Sequence, residues 1–486
     1  MIANMQVESH ERDAAAALRG FARQAFSRAA GAPLVAGNQV RLLRDARENY
    51  PAWLNAIGAA KSHVHFENYI LREDDTGRRF ADALLAKARE GVRVRLVYDW
   101  LGDLGRTSRR FWNRLRAGGV EVRCYNPPHL ASPLGWLSRD HRKSLVVDGQ
   151  VGFIMGLCIA QIWEGDADRN SEPWRDTGVE LRGPAVAEIE HAFGQVWAAM
   201  GEPIPEQEVL QGTMPKAGDM NVRIVASVPG TARMFRLDQL IAALASNRLW
   251  LTDAYYAGTA AYVQALRAAA KDGVDVRLLV PGSTNIPPLK PLSRAGYRLL
   301  LEAGVRVFEW NGTMLHAKTA VADGRWARVG STNLNMASWF DNCELDVVVE
   351  NQLFAREMED MYLADLTNAT ELVLDAKQKV LAPGEPRVSR AIVTSSGGSA
   401  GRAVAGAVRI GNAIGAAFTD RRVLAPIESR VLTGGGASLL VLAVLFAVFP
   451  RTLAYPLVLI LAWLGIALLY RSYKLHRNRK PKRSTM

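Results

Sequence analysis

The sequence predicts an α/β protein made of two pseudo-symmetric α/β/α sandwich halves, followed by a C-terminal two-helix membrane hairpin. Three observations support this. A strand and helix unit recurs at an offset of about 175–186 residues, the length of a domain rather than of a solenoid repeat. Each copy carries the same His-x-Lys pair, and two uncharged runs of about nineteen residues follow both copies.

The elements follow in order. Val64-His65-Phe66-Glu67-Asn68-Tyr69 reads as the opening strand of the first copy and matches Trp250-Leu251-Thr252-Asp253-Ala254-Tyr255 in the second. Phe80–Glu90 and Tyr262–Asp272 carry apolar residues at spacings of three and four and read as helices. Each leads into a Gly-Val strand, Gly91–Leu96 and Gly273–Leu278, and Gly119–Val122 matches Gly304–Val307. Strands alternating with helices predict a sheet between helical layers, and the chain is long enough for two cores. The expected organisation is an N-terminal amphipathic helical segment at 1–33, in which Leu18, Phe21 and Ala25 share a face; a first half at 34–210; a second half at 211–375; a Gly/Ala-rich linker at 376–430; the membrane hairpin at 431–470; and a basic tail at 471–486.

The chemistry sits in the repeated motif. His141-x-Lys143 is followed by Asp148, and His316-x-Lys318 by Asp323 and then by Gly330-Ser331-x-Asn333. In a strand, residues two apart share a face, so each histidine leaves the sheet beside its lysine. Imidazole can attack or donate a proton near neutral pH, and an ammonium holds a phosphate oxygen as a point charge. Asp148 and Asp323 precede Gly149 and Gly324, where a turn should follow the strand, and are expected to fix that turn. One His-x-Lys pair carries little information. Two copies inside a larger repeat can surround one phosphate from both sides.

With these residues the chain resembles the phospholipase D superfamily, whose signature is two HKD motifs, and within it the bacterial cardiolipin synthases. The resemblance spans about residues 34–375 and includes Phe66-Glu67, Tyr98-Asp99-Trp100, His141-Arg142-Lys143 and Leu315-His316-Ala317-Lys318. It implies two phospholipase D-like halves sharing one active site, with His141, Lys143, Asp148, His316, Lys318 and Asp323 as the catalytic set. His141 would attack phosphorus to form a covalent phosphohistidine, while His316 protonates the leaving alcohol and deprotonates the incoming one. Lys143 and Lys318 would hold the non-bridging oxygens, with Ser331 and Asn333 completing the cradle. The resemblance also implies a supporting acid roughly thirty positions after each motif histidine, Asp176 for His141 and Glu344 for His316.

One departure touches the site. Met155-Gly156-Leu157-Cys158 stands where the family has Gly-Gly-x-Asn or Gly-Ser-x-Asn, so a weakly donating thiol replaces an amide and leaves the Gly156 backbone and Lys143 to hold phosphate there. Cys124, Cys158 and Cys343 show no Cys-x-x-Cys spacing and no disulfide framework. The His/Lys chemistry neutralises phosphate without a divalent ion, so no metal or other cofactor is expected.

Val431–Phe449 and Thr452–Tyr470 are uncharged and separated by Pro450-Arg451, each about long enough to cross a bilayer core of roughly 30 Å. The tail then carries Arg471, Lys474, Arg477, Arg479, Lys480, Lys482 and Arg483 without an acid, which supplies more than half of the formal charge of +12. Such a tail belongs on the cytoplasmic side of a bacterial inner membrane, and a hairpin returns the catalytic part to that side. It also suits an anionic membrane surface, at about 1 kcal/mol per cation. Many cardiolipin synthases have N-terminal membrane segments instead, a second departure. The expected partners are phospholipids, phosphatidylglycerol as donor and an alcohol-bearing lipid as acceptor, giving cardiolipin and glycerol; no nucleic acid is expected, and no residue pattern speaks to oligomeric state. A phospholipase D releasing phosphatidic acid would use the same residues with water admitted. A nuclease or other phosphodiesterase would use them on a soluble substrate, against which the hairpin weighs, and a scaffold with a decayed site has only Cys158 in its favour.

Overall fold

Strand β1 (Val35–Arg44) and helix α1 (Asp45–Ala59) open the first half in the computed structural model, which describes residues 24–128, 137–166, 168, 171–208, 214–283, 289–375, 380, 381 and scattered positions between 455 and 466. Strands β2 (His63–Asn68), β3 (Arg93–Asp99) and β4 (Glu121–Tyr125) then run parallel, with helices α2 (Asp75–Arg89) and α3 (Arg109–Ala117) as crossovers. Helix α2 starts where Asp74 accepts from Gly77 N at 3.0 Å, buries Phe80, Ala81, Leu84 and Leu85 at helical spacing, and is followed by Gly91 in the left-handed region. These are the elements the Gly-Val repeat predicts.

The chain returns through the antiparallel strands β5 (Lys143–Val147), β6 (Val151–Met155) and β7 (Thr177–Arg182) to pair with β1, and helix α4 (Val186–Ala199) closes the half. The second half repeats this plan with β8 (Met220–Ser227), α5 (Arg233–Leu244), β9 (Arg248–Thr252), α6 (Ala260–Lys271), β10 (Asp275–Pro281), α7 (Leu289–Glu302), β11 (Arg306–Trp310), β12 (Thr319–Ala322), β13 (Trp326–Gly330), β14 (Glu344–Glu350), α8 (Gln352–Leu366) and the edge strand β15 (Ala369–Glu371).

The two halves share a single sheet. Its order is β4-β3-β2-β5-β6-β7-β1-β8-β14-β13-β12-β9-β10-β11-β15, so the plan reads outward in the same sense from an antiparallel β1/β8 junction. Pairing β1 with β8 removes what would be an open edge on each half. On one face α1–α3 and α5–α7 cover separate apolar cores. On the other, α4 and α8 enclose a common core containing Val179, Ile189, Val222, Val347 and Phe354, which binds the halves into one body.

Two expectations need correction. The strands begin at Lys143 and Thr319, so His141 and His316 precede them in extended segments that pair elsewhere. Asp148 and Asp323 are not in the catalytic set: each sits at the far end of its strand, about 17 Å from the lysine at the usual rise per residue. There Asp-Gly, with φ positive at both residues, forms the centre of a turn in a three-residue loop, closed by Gln150 N donating to Val147 O at 3.0 Å and Arg325 N to Ala322 O at 3.1 Å. The Asp148 carboxylate accepts from the backbone N–H of Lys61, Ser62 and His63 at 2.8, 2.7 and 2.9 Å, and Asp323 accepts from Ser246, Asn247 and Arg248 at 2.9, 2.8 and 2.9 Å. Each thus ties a hairpin to the loop feeding the neighbouring strand. Asp148→Asn is expected to lower unfolding stability by about 1–2 kcal/mol in urea titration while kcat changes less than about twofold, since the lost bonds are structural.

At the N-terminus residues 24–30 are helical, and Ala30 and Ala32 pack on the core of the second half while Arg223 donates to Ser27 Oγ and Ala32 O at 2.8 Å. The predicted linker, hairpin and basic tail lie outside the described residues apart from scattered positions. Among the described residues no helix is long and apolar enough to cross a membrane.

Candidate active site

The two motifs meet because each half lends an extended segment to the other. His141 N donates to Cys343 O at 2.9 Å and Cys343 N to Arg139 O at 2.8 Å; in the equivalent place Arg175 N donates to Met314 O at 2.9 Å and His316 N to Arg175 O at 2.7 Å. Each histidine is laid beside the acid of the opposite half. His141 Nδ1 lies 3.0 Å from both carboxylate oxygens of Glu344, and His316 Nδ1 lies 2.7 Å from Asp176 Oδ2. The expected pairing is therefore crossed: Glu344 holds His141 and Asp176 holds His316. Sequence distance suggested the reverse, but the segment before each motif strand pairs with the other half.

These two histidines, their two carboxylates and the motif lysines Lys143 and Lys318 are all withdrawn from solvent, the carboxylates completely and the histidines to 7% and 5% exposure. Burial pushes the His141 imidazole down to about 3, with Lys143 and Lys318 pushing the same way against the pull of Glu344. His316 falls to about 4, chiefly through burial and next through Lys318, whose ammonium lies 3.0 Å from its Nδ1. Burial, reinforced by the Lys143 charge and opposed by Asp176, also brings Lys318 down to about 8. Burial works against ionising Asp176 and Glu344. For Asp176 the contacts of His316, Lys318 and Trp163 outweigh it, and for Glu344 those of His141, Lys143 and Ser331, so both stay below the usual carboxylate range. At neutral pH the two imidazoles are neutral, with Nδ1–H on a carboxylate and Nε2 left for a reacting group.

This charge balance has a measurable consequence. An anion held by the lysines favours imidazolium, so binding draws in a proton. Sulfate, which has no proton of its own to exchange in this range, is expected to bind up to about tenfold more tightly for each pH unit between about 7 and 5, with uptake approaching one proton per site. Titration calorimetry in buffers of different ionisation enthalpy reads this directly; zero uptake would mean the rings are already charged.

The remaining expected residues divide. Lys143 Nζ donates to His141 O at 2.5 Å and stands 5.1 Å over the Tyr69 ring, while Lys318 Nζ donates to His316 O. Asn333 is 4% exposed, and its Oδ1 has no hydrogen-bond partner among the described residues; that oxygen only accepts, so any contact with a phosphate oxygen would have to come from its Nδ2. Ser331 does not face phosphate: its hydroxyl donates to Glu344 Oε2 at 2.5 Å and accepts from Leu345 N at 2.9 Å. Gly156 N is committed to Thr177 O at 3.0 Å, so its backbone does not cradle phosphate. The glycine supplies room, because a Cβ there would strike Asp176 Oδ1. Cys158 is buried, and burial pushes its thiol above the usual range, so it remains protonated and weakly nucleophilic.

Sequence reasoning missed the surrounding collar. Tyr69 meets His141 edge-on at 4.8 Å between centroids, while Trp163, Trp174 and Tyr255 surround His316 at 5.3, 5.7 and 5.9 Å. Tyr69 and Tyr255 are not equivalent: β2 pairs with β5 and β9 with β12 so that Phe66 corresponds to Leu251 and Tyr69 to Ala254, one residue out of the match Val64 with Trp250 that the sequence suggests. It also missed two buried arginines. Arg142 donates to Ala192 O at 2.8 Å, Ser227 O at 2.9 Å and Glu344 O at 3.2 Å, joining α4, β8 and β14. Arg175 grips both oxygens of Asp365 on α8, at 2.8 and 2.9 Å, and lies 3.1 Å from Asp45 Oδ1.

A second polar cluster lies behind β2. Glu190 Oε1 sits 2.7 Å from His63 Nε2 and 3.1 Å from His65 Nδ1, all three residues being buried. Arg95 Nη1 lies 3.4 Å from His65 Nε2, and a guanidinium only donates, so that nitrogen carries the lone pair and Nδ1 the proton. A metal on Nδ1 would need the opposite tautomer and a displaced Arg95. The cluster is built as a carboxylate held between two imidazoles.

The model of the cardiolipin synthase, PLD-like domain matches residues 53–157 and 239–366, which contain one motif each. The cardiolipin synthase of Alkalihalophilus pseudofirmus is 33% identical over 347 residues, 70% of this chain and 68% of the relative. Cardiolipin synthase A of Pseudomonas aeruginosa is 33% identical over 372 residues, 74% of this chain and 73% of the relative. Among solved structures, phosphatidylserine synthase of Haemophilus influenzae superposes with a TM-score of 0.58 at 12% identity, covering 72% of this chain and 91% of that one, a likeness of fold. With relatives of this identity and coverage, and a crossed pair of HKD motifs in one buried site, the chain belongs to the phospholipase D-like cardiolipin synthase family.

Proposed function

We propose that the protein is a phosphatidyltransferase that makes cardiolipin from phosphatidylglycerol. The observation that carries this is the pair of imidazoles, each backed by a carboxylate and flanked by a lysine, in a single buried site. The anionic substrate brings a proton onto Nε2 of the second imidazole as it binds; in the first step the Nε2 of the other, neutral imidazole attacks phosphorus, the N–P bond forms as the P–O bond to glycerol breaks, and the second imidazole delivers that proton to the departing glycerol. In the second step the hydroxyl of an acceptor lipid attacks phosphorus, returns its proton to that second imidazole, and the N–P bond breaks. Lys143, Lys318 and Asn333 hold the non-bridging oxygens throughout.

The roles divide as His141 nucleophile and His316 acid and base. His316 has the shorter carboxylate contact, 2.7 Å against 3.0 Å, and a tighter anion better supports an imidazolium. The substrate assignment rests on the relatives' names. Attachment through 431–470, with the basic tail and catalytic part on the cytoplasmic face of the inner membrane, belongs to the same reading and is supported by two apolar runs before a cluster of cations. It is tested by fractionation, since a chain ending before 431 should leave the membrane fraction.

The test of activity is purified protein in phosphatidylglycerol vesicles, with products resolved by mass spectrometry. Cardiolipin and glycerol in equal amounts are expected. Phosphatidic acid alone would make the protein a hydrolase, and neither product would sink the lipid reading.

A further inference from the structure

The two acids are held by different donors, and the difference exposes a residue that no motif contains. Glu344 receives the Ser331 hydroxyl at 2.5 Å and the Asn342 amide at 3.3 Å as well as His141. The position equivalent to Ser331 is Gly156: Gly156 N donates to Thr177 O at 3.0 Å as Ser331 N donates to Leu345 O at 3.1 Å. Gly156 brings no hydroxyl, and no side chain fits there because a Cβ would strike Asp176 Oδ1. Asp176 takes its second donor from elsewhere. Trp163 Nε1 donates to Asp176 Oδ2 at 3.0 Å, the same oxygen that receives His316 Nδ1 at 2.7 Å, while Thr177 N occupies Oδ1 at 2.8 Å.

Trp163 is built for this. It is 1% exposed, sits on the short helix Gln161–Glu164 that follows the Cys158 turn, and presents its ring edge-on to His316 with an interplanar angle of 86°. Its indole offers one donor and no acceptor, so it can contact the carboxylate only as a donor. Trp174 packs against it at 4.9 Å between centroids and reaches His316 from the same side.

We propose that Trp163 is the positioning residue of the Asp176–His316 pair, its indole N–H taking the place that the Ser331 hydroxyl holds in the other half. It touches no reacting atom. By sharing Oδ2 with the imidazole it fixes the carboxylate rotamer, keeps the His316 proton on Nδ1, and draws off part of the anion's charge. This rests on the reading of His316 as acid and base. Removing the N–H leaves Oδ2 a stronger acceptor for His316 alone, which favours the imidazolium and moves the pH dependence of His316 upward.

The experiment compares Trp163→Phe with the unaltered protein in phosphatidylglycerol vesicles, following cardiolipin formation against pH. The expected result is kcat lower by about tenfold with KM within about twofold, the limb of the profile governed by His316 displaced to higher pH, and no further loss when the change is added to Asp176→Asn. An undisplaced profile, or losses that multiply in the double variant, would overturn the proposal and leave Trp163 as packing. Should the phenyl variant fail to fold, benzothienylalanine at position 163 keeps the indole's shape without its N–H and is read in the same way. An unaltered protein that forms no cardiolipin would instead count against the transferase reading, which separates the two failures.

Discussion

His141→Ala and His316→Ala are each expected to reduce cardiolipin formation by about ten-thousand-fold or more, with the double variant no worse than either single one. The two rings act on the same phosphorus in the same step, so removing one idles the other, and losses of groups that work as a unit do not add. The variants should differ in what remains. With His316 gone and His141 intact, a substrate bearing a good leaving group such as nitrophenol needs no acid, so label should still accumulate on the protein; with His141 gone, none should. Label in the His141 variant alone would reverse the assigned roles. Full activity in either variant would sink the two-histidine mechanism.

The second large effect is on folding. Arg175→Met is expected to cost about 3–5 kcal/mol, because it strands Asp365 beneath the surface of α8 after removing both of its charged hydrogen bonds. The same arginine backbone anchors the segment that delivers Asp176 to His316, so residual activity should fall along with the urea midpoint. Arg175→Met with Asp365→Leu removes the stranded charge together with its partner and should recover much of the stability. Failure to recover would place the loss in the backbone and not in the ion pair.

Much of the fold was legible because it is written in short-range patterns. Gly91 and Gly273 mark the same helix stop before the same parallel strand, and a duplicated unit follows from that alone. The lysines and histidines were legible because strand spacing places them side by side. The crossed acids were not. Asp176 and Glu344 each stand at the start of a strand in the half that also holds a motif, and only the direction of the segment before that motif decides which histidine they reach. Asp148 and Asp323 were legible as turn residues from the glycine that follows each, and only their place in the motif drew them into the catalytic set, although a strand's length separates them from its chemistry. Trp163 carried no signal, since its role exists only because Gly156 leaves a carboxylate short of a donor. Ser331 was placed on phosphate because the carboxylate it serves comes from thirteen residues later in the chain.

The crossing of the carboxylates also sets a timetable. A ribosome releases His141 with its lysine well before Glu344, which lies 203 residues further on, and Asp176 waits 140 residues for His316. Until β14 has been made and docked, the growing chain holds an imidazole with nothing to orient it. A catalyst that breaks and remakes lipid phosphodiesters is therefore inert until β14 has docked, and becomes competent in the event that joins its two halves.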